Sequence, residues 1–165
     1  MKKEVKEGDR VNGDTLGIVG LGLIGGSLAR GLKSTLATSM DPDGGQEVGT
    51  LRVVASSLDR AELDRGMKEG IVDRAYDDSA EVADEADILV YATPLDATLQ
   101  LLESHRDRIG PETVITDVVS LKVPVERRIR ELGLEEQWIG GHPMAGSEQS
   151  GFEASRCDLF HEATV

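Results

Sequence analysis

Short apolar runs alternate with amphipathic stretches along most of the chain. The apolar runs have the length of buried strands and lie at 15–20, 51–57, 87–94 and 113–120. The stretches that follow them have the spacing of helices and lie at 27–36, 61–70, 97–109 and 124–133. An alternation of strands and helices is typical of a parallel sheet with right-handed crossovers. The pattern predicts an α/β fold, in which a doubly wound, mostly parallel sheet carries helices on both faces.

The length of the chain predicts one domain. Its 165 residues are enough for a single hydrophobic core. The segment 39–50 has no periodicity and is rich in Gly, Asp and Pro, so we predict a surface loop there. We expect residues 1–14 to form a flexible N-terminus and residues 15–165 to form the domain.

An excess of acidic residues limits the partners that the chain can bind. The formal net charge is −13, from 31 acidic and 18 basic residues, and such a surface repels nucleic acid and anionic lipid. Cys157 is the only cysteine, so no internal disulfide can form. The opening MKKEVKEGDR is positively charged but no apolar stretch follows it, so we expect no signal peptide, and no apolar run approaches the ~20 residues of a membrane span. We expect a cytoplasmic protein whose partner is a small molecule.

The stretch GIVGLGLIGGSLARGL places a glycine cluster between a predicted strand and a predicted helix. Its Gly20, Gly22 and Gly25 have the spacing G-x-G-x-x-G and the context of the dinucleotide-binding fingerprint. There the first glycine permits a tight turn, the second lets the pyrophosphate approach the backbone, and the third allows close helix–strand packing. The start of the helix, where Leu23 and Ile24 lie, attracts phosphates. We predict a Rossmann-type nucleotide site, with a purely structural turn as the alternative.

The end of the second predicted strand bears on the identity of the dinucleotide. The fingerprint expects an Asp or Glu there, which binds the ribose 2′-hydroxyl of NAD, but Ser57 occupies this position. A serine leaves room for a 2′-phosphate, and Arg60 is close enough in sequence to pair with it, which favours NADP slightly. Asp59 could instead reach the ribose of NAD, and Ser57 could be a strand-end residue without a role.

A second dense stretch, WIGGHPMAGSEQSGFE, supplies a candidate base. His142 follows two glycines and precedes Pro143, which indicates a rigid loop at the carboxyl end of a strand, where open parallel sheets bind ligands. A histidine of ordinary pKa, about 6.5, accepts a proton at neutral pH, so His142 is a candidate general base, with a structural role as the alternative. His105 and His161 lie in polar surroundings, and we expect both to be solvated.

Ser120, in TDVVSLK, follows another predicted strand and opens on the same edge of the sheet as the glycine turn. It could take part in the site, or it could cap the helix that follows. No Cys, His or Asp spacing resembles a metal site, and no G-x-S-x-G elbow supports an acyl-enzyme. We therefore expect no metal.

These motifs resemble those of the prephenate dehydrogenase family, whose relatives also use arogenate. The resemblance rests on GLGLIGGSLARGLK, ATPL, TDVVSLK and GGHPMAGSEQSGFEAS with DLF, and it covers nearly the whole chain. It implies an NADP- or NAD-dependent oxidative decarboxylation of prephenate or arogenate in tyrosine biosynthesis. It also implies that His142 draws the proton of the ring hydroxyl, that Ser120 hydrogen-bonds to this hydroxyl, and that Glu148 lies by the substrate side chain. Thr93 and Pro94, in ATPL, would bind the cofactor.

The resemblance implies a second domain as well. In the family, a helical dimerisation domain follows the nucleotide-binding domain and holds the substrate carboxylates, and this chain ends before such a domain begins. We expect the chain to supply the cofactor domain and the catalytic histidine of an enzyme that is a homodimer at full length. The alternative is a stand-alone dinucleotide-binding or regulatory module without turnover. A dehydrogenase for a 3-hydroxy acid is disfavoured because those relatives lack GGHPMAGSE.

Overall fold

One parallel sheet organises the described part of the chain. The structure is a computed structural model that describes residues 14–38, 51–145 and 148–163. Within these ranges the strands are β1 (Thr15–Val19), β2 (Arg52–Ser56), β3 (Arg74–Tyr76), β4 (Ile88–Tyr91), β5 (Val114–Asp117) and β6 (Trp138–Gly140). Their order is β3-β2-β1-β4-β5-β6, and every neighbouring pair is parallel. The predicted loop 39–50 and the predicted flexible N-terminus, apart from Asp14, lie outside the described residues.

Helices cover both faces of this sheet. In the same ranges they are α1 (Leu23–Thr38), α2 (Arg60–Lys68), α3 (Ser79–Glu85), α4 (Leu95–His105), α5 (Lys122–Glu131) and a 3₁₀ turn (Phe152–Ala154). Side chains of α1 and α2 pack with Ile18 and Val53 on one face. Side chains of α3, α4 and α5 pack with Val19 and Val54 on the other. Because successive strand residues point to opposite faces, each buried strand contributes to both cores. The predicted doubly wound α/β fold is confirmed.

The structure contains one strand and one helix that the sequence pattern did not predict. β3 has only three residues, and its Arg74 is exposed, so it presents no apolar run. α3 has seven residues, of which Val82 and Ala83 are buried, and it is too short for a helical period to be evident. Both elements lie where the chain crosses from the outer strand β3 back to β4, beside β1. The strand expected before His142 is β6.

A buried carboxylate ties the last two strands together. Asp117, the last residue of β5, is 1% exposed and accepts hydrogen bonds from the Val119 N–H and from Trp138 Nε1, each at 3.0 Å. Lys122 Nζ forms an ion pair with the same carboxylate. The Trp138 ring lies against Gly140, where a Cβ would be 2.9 Å from the ring. Asp117 therefore holds both the loop after β5 and the strand that leads into the second dense stretch.

His105 is buried, and our expectation that it is solvated is wrong. It lies on the inward side of α4 with Thr98 and Leu102, at helical spacing. Its Nδ1 is 3.0 Å from the Tyr91 hydroxyl, its Nε2 is 3.0 Å from Ser79 Oγ, and its ring stacks on that of Tyr91. Glu103, which precedes it in the helix, is exposed, and Asp107 and Arg108 lie beyond the helix end and are exposed as well. Burial therefore lowers the pKa of His105.

We predict that protonation of His105 destabilises the fold at acid pH. Burial lowers its pKa, Arg108 adds to this effect, and Asp78 and Asp84 oppose it. Below about pH 6.5 the unfolded chain takes up a proton that the folded chain resists, so the free energy of unfolding falls with pH, by at most about 1.4 kcal/mol per pH unit. Urea denaturation at about pH 7.5 and about pH 5.5 should show a smaller acid-induced loss in His105→Gln. The exposed-site control His161→Gln should lose as much as the wild type; equal losses in all three proteins would contradict the prediction.

We also predict that Asp117→Asn destabilises the protein by about 2–3 kcal/mol. The change removes a carboxylate that accepts three hydrogen bonds in a buried position, and the ammonium of Lys122 loses its partner. Urea denaturation at neutral pH measures the loss. The control Glu126→Gln breaks an exposed ion pair with Arg130 and should cost under about 0.5 kcal/mol. Similar stabilities for the two variants would argue against Asp117 as an anchor.

Candidate functional site

Gly20 closes the turn after β1 in a conformation that favours glycine. Its φ is +98°, in the left-handed region, and a Cβ there would lie 2.6 Å from the Ala92 carbonyl oxygen, just after β4. Its N–H donates to the Ser56 carbonyl at the end of β2, at 2.9 Å. The turn therefore lies among the carboxyl ends of three neighbouring strands.

Gly22 and Gly25 differ in what their surroundings require. A Cβ at Gly25 would lie 2.0 Å from the Gly20 carbonyl oxygen, so the fold itself requires glycine there. A Cβ at Gly22 would meet no atom within 4 Å, so packing does not require glycine at this position. Open space above the backbone is what the approach of a pyrophosphate needs. A purely structural turn accounts for Gly20 and Gly25 but leaves Gly22 unexplained.

The first turn of α1 begins directly after Gly22, beside this space. Leu23 and Ile24 form the turn, and no acidic side chain is present in it. The first N–H groups of any helix lack partners inside the helix, and they lie at the positive end of its dipole. This helix start is therefore suited to a phosphate group.

At the end of β2, the hydroxyl of Ser57 is engaged by a residue that the sequence analysis did not single out. Ser57 Oγ donates to Glu62 Oε2 at 2.7 Å and accepts from the Asp59 N–H at 3.3 Å. Asp59 is the N-cap of α2, and its carboxylate accepts from the Ala61 N–H at 2.9 Å. The side chain that could have turned toward a ribose thus caps a helix instead.

Arg60, the candidate partner of a 2′-phosphate, is paired with two carboxylates. It contacts Asp64 at 2.9 Å, one turn along α2, and Asp77 at 2.6 Å, just after β3. Hydrogen bonds to Asp77 and Asp64 raise the pKa of Arg60. All three side chains are mostly exposed, so these pairs can exchange with solvent.

Thr93, Pro94 and Ser120 line one cleft, between the loops that follow β4 and β5. The cleft has a volume of about 300 Å³, and its other walls are Leu95, Val118, Val119 and Leu121. Ser120 is exposed and does not cap α5, whose N-cap is Leu121. The helix-capping alternative for Ser120 is therefore not observed.

His142 lies two residues after β6, at the same edge of the sheet as the glycine turn. Its side chain is partly buried, and its Nδ1 is buried without a hydrogen-bond partner among the described residues. Glu148 is exposed, whereas Gly146 and Ser147 of the same motif lie outside the described residues. His142 and Ser120 thus follow neighbouring strands, and their chemical roles remain predictions.

The segment after this motif packs back on α1, which the sequence analysis did not predict. Phe152 is buried against Gly26, where a Cβ would lie 2.7 Å from the ring. The Arg30 guanidinium lies 4.6 Å from the ring centre of Phe152, and its Nε donates to Ser155 Oγ at 2.7 Å. The sequence feature that could have indicated this contact is Gly26, a glycine that the dinucleotide fingerprint does not require.

The described residues also bear on metal binding, on membrane spans and on His161. No group of three or more His, Cys, Asp or Glu side chains in this part of the chain could hold a metal ion. None of its helices combines the length and the apolar character needed to cross a bilayer. His161 is exposed, as expected.

Sequence comparison relates the chain to one enzyme family. A profile of the family described as "Prephenate dehydrogenase, nucleotide-binding domain" matches residues 46–165. The chain is 34% identical over 152 residues to the prephenate dehydrogenase of Bacillus subtilis. The alignment covers 91% of this chain and 38% of that protein. It is 35% identical over 150 residues to the prephenate dehydrogenase of Lactococcus lactis, in an alignment that covers 88% of this chain and 38% of that protein. The chain therefore spans well under half the length of these relatives.

Solved structures share the architecture. The arogenate dehydrogenase of Synechocystis superposes with a TM-score of 0.75 at 28% identity, over 90% of this chain and 48% of that one. The prephenate dehydrogenase of A. aeolicus, in complex with hydroxyphenyl propionate and NAD+, superposes with a TM-score of 0.77 at 22% identity, over 93% and 49%. The profile match begins after the glycine turn, but an alignment that covers 91% of the chain necessarily includes it. The fold, the glycine turn and these matches together establish that the chain belongs to the family of prephenate dehydrogenase nucleotide-binding domains.

Proposed function

We propose that residues 15–165 are the dinucleotide-binding domain of an NAD(P)-dependent prephenate or arogenate dehydrogenase. The observation that carries the proposal is the open space at Gly22, in a chain of this family. His142 and Ser120 follow strands that end at the same edge of the sheet. Relatives named as dehydrogenases support this function over a stand-alone module without turnover.

The cofactor lies across the carboxyl edge of the sheet in this proposal. Its pyrophosphate rests on the turn at Gly20 and Gly22 and on the start of α1. Open α/β sheets bind ligands where the strand order reverses, which here is between β1 and β4. The cleft at Thr93 and Pro94 continues from that point toward β5, and we assign it to the nicotinamide half. The dinucleotide is NADP or NAD, and the residues that follow β2 determine which.

His142 is the general base in the proposed reaction. It takes the proton of the ring hydroxyl while the substrate loses a hydride and carbon dioxide and its ring becomes aromatic. The dinucleotide, when bound, supplies the hydride acceptor. Ser120 hydrogen-bonds to the same hydroxyl, and Glu148 lies by the substrate side chain. A base on the hydroxyl strengthens hydride donation, and the loss of carbon dioxide makes the step irreversible.

Binding of the substrate carboxylates requires cationic side chains, and the lysine near Ser120 is already paired. Lys122, two residues from Ser120, is ion-paired with the buried Asp117. The chain spans 38% of the Bacillus relative, so much of such an enzyme has no counterpart in it. We therefore propose that a further helical domain binds the substrate carboxylates and that the full-length enzyme is a cytoplasmic homodimer.

We predict that Gly22→Val weakens dinucleotide binding without unfolding the protein. Bulk at this position would push the pyrophosphate off the helix start, and titration of NADH or NADPH fluorescence should show at least a tenfold loss, about 1.4 kcal/mol. Thermal unfolding should stay near that of the wild type, since a Cβ at Gly22 meets no atom within 4 Å. Gly25→Ala should destabilise the fold instead, because its Cβ would lie 2.0 Å from a carbonyl oxygen. Unchanged dinucleotide affinity in Gly22→Val would contradict the proposed site.

We predict that His142→Asn in the full-length enzyme lowers kcat by ~10²-fold or more. Dinucleotide affinity should hardly change, because the variant removes a base and not a phosphate contact. The matched control is His161→Asn, which alters an exposed histidine and should keep wild-type kinetics. Wild-type turnover in His142→Asn would show that another group takes the proton.

A further inference from the structure

The carboxylate of Glu62 lies next to the position where the dinucleotide fingerprint expects an acid. Glu62 is in the first turn of α2, and its Oε2 accepts a hydrogen bond from Ser57 Oγ at 2.7 Å. Ser57 follows directly on β2 and occupies the strand-end position itself. The missing acid is thus replaced by a serine that is hydrogen-bonded to a carboxylate from the next helix.

The side chains of Ser57 and Glu62 have unused hydrogen-bond acceptor positions but no unused donor. Ser57 has one hydroxyl hydrogen, which is donated to Glu62, and its oxygen accepts from the Asp59 N–H. The Glu62 carboxylate has about four acceptor positions, of which Ser57 and the Phe152 N–H use two. A ribose 2′-hydroxyl is a donor and can use a remaining position, whereas a 2′-phosphate offers only acceptors and negative charge.

We infer that Glu62 selects NAD against NADP, by binding the ribose 2′-hydroxyl and repelling a 2′-phosphate. This inference rests on the proposed dinucleotide function. It assigns to the first turn of α2 the part that the fingerprint gives to the end of β2. It also reverses the slight preference for NADP that Ser57 and Arg60 indicate by sequence alone.

The surrounding charges act in the same direction. Arg60, the cation closest in sequence to Ser57, is paired with both Asp64 and Asp77. Asp59 adds a further carboxylate at the N-cap of α2. A 2′-phosphate at this place would therefore have to break existing ion pairs before it gained a cation.

The carboxylate is also held in place by a remote part of the chain. Glu62 Oε1 accepts from the N–H of Phe152 at 3.0 Å, and Phe152 is 1% exposed in its packing on α1. With one oxygen held by this segment and the other by Ser57, the carboxylate has a defined position. A fixed acceptor discriminates between ligands better than one on a freely rotating side chain.

Fluorescence titration of the purified chain with NADH and with NADPH tests the inference. The wild type should bind NADH at least tenfold more tightly than NADPH. Glu62→Gln keeps the size of the side chain and removes its charge, and the ratio of the two dissociation constants should fall by at least tenfold. Glu62→Asp, which restores the charge, should recover part of the preference. The control Glu112→Gln removes one charge from an exposed loop before β5, at the opposite edge of the sheet, and should leave the ratio unchanged.

The outcomes separate this inference from the proposed function. A wild type that prefers NADPH, or a ratio that Glu62→Gln leaves unchanged, overturns the role of Glu62 while dinucleotide binding stands. Failure of the wild type to bind either dinucleotide contradicts the proposed function, and the inference falls with it. A changed ratio with an unchanged melting temperature supports the inference, because a merely structural role would weaken both dinucleotides alike.

Discussion

The contact between the glycine turn and the first turn of α1 is the constraint on which the rest of the site depends. Gly25 lies so close to the turn that a Cβ would be 2.0 Å from the Gly20 carbonyl oxygen, and Gly20 lies against the Ala92 carbonyl after β4. These backbone contacts place the start of α1 where the strand order reverses, between β1 and β4. Packing therefore fixes two of the three glycines and leaves Gly22 facing open space. The same turn that closes the fold exposes a surface for a phosphate.

Two anchors hold the segment that carries His142. Before it, Asp117 binds Trp138 at the start of β6. After it, Phe152 packs on α1 and donates to Glu62 on α2. The candidate base is thus on a loop whose far end rests on the helices of the nucleotide site. The dense stretch thus carries the candidate base near its start and a packing contact, Phe152, near its end.

The two helix starts at this edge differ in charge, although the chain as a whole is strongly acidic. The first turn of α1 has no acidic residue, so its amides and dipole favour an anion. The first turn of α2 has Glu62, and Asp59 caps it, so this end offers acceptors. One helix start therefore suits a pyrophosphate and the other suits a hydroxyl. A dinucleotide has both groups, and the two helix starts follow the adjacent strands β1 and β2.

The sequence by itself determined the class of fold, the glycine turn and the edge at which the candidate residues lie. These features are local, because strand and helix periods and a G-x-G-x-x-G turn are written in consecutive residues, and parallel strands bring their carboxyl ends together. The motif around His142 was also sufficient to indicate the family. Only the tertiary structure decided the burial of His105, the partners of Asp117 and the position of Glu62. Each depends at least in part on residues far apart in sequence: the Phe152 N–H and the Glu62 carboxylate that accepts from it are 90 positions apart. No periodicity records such a contact, because it exists only once the sheet has brought the two segments together.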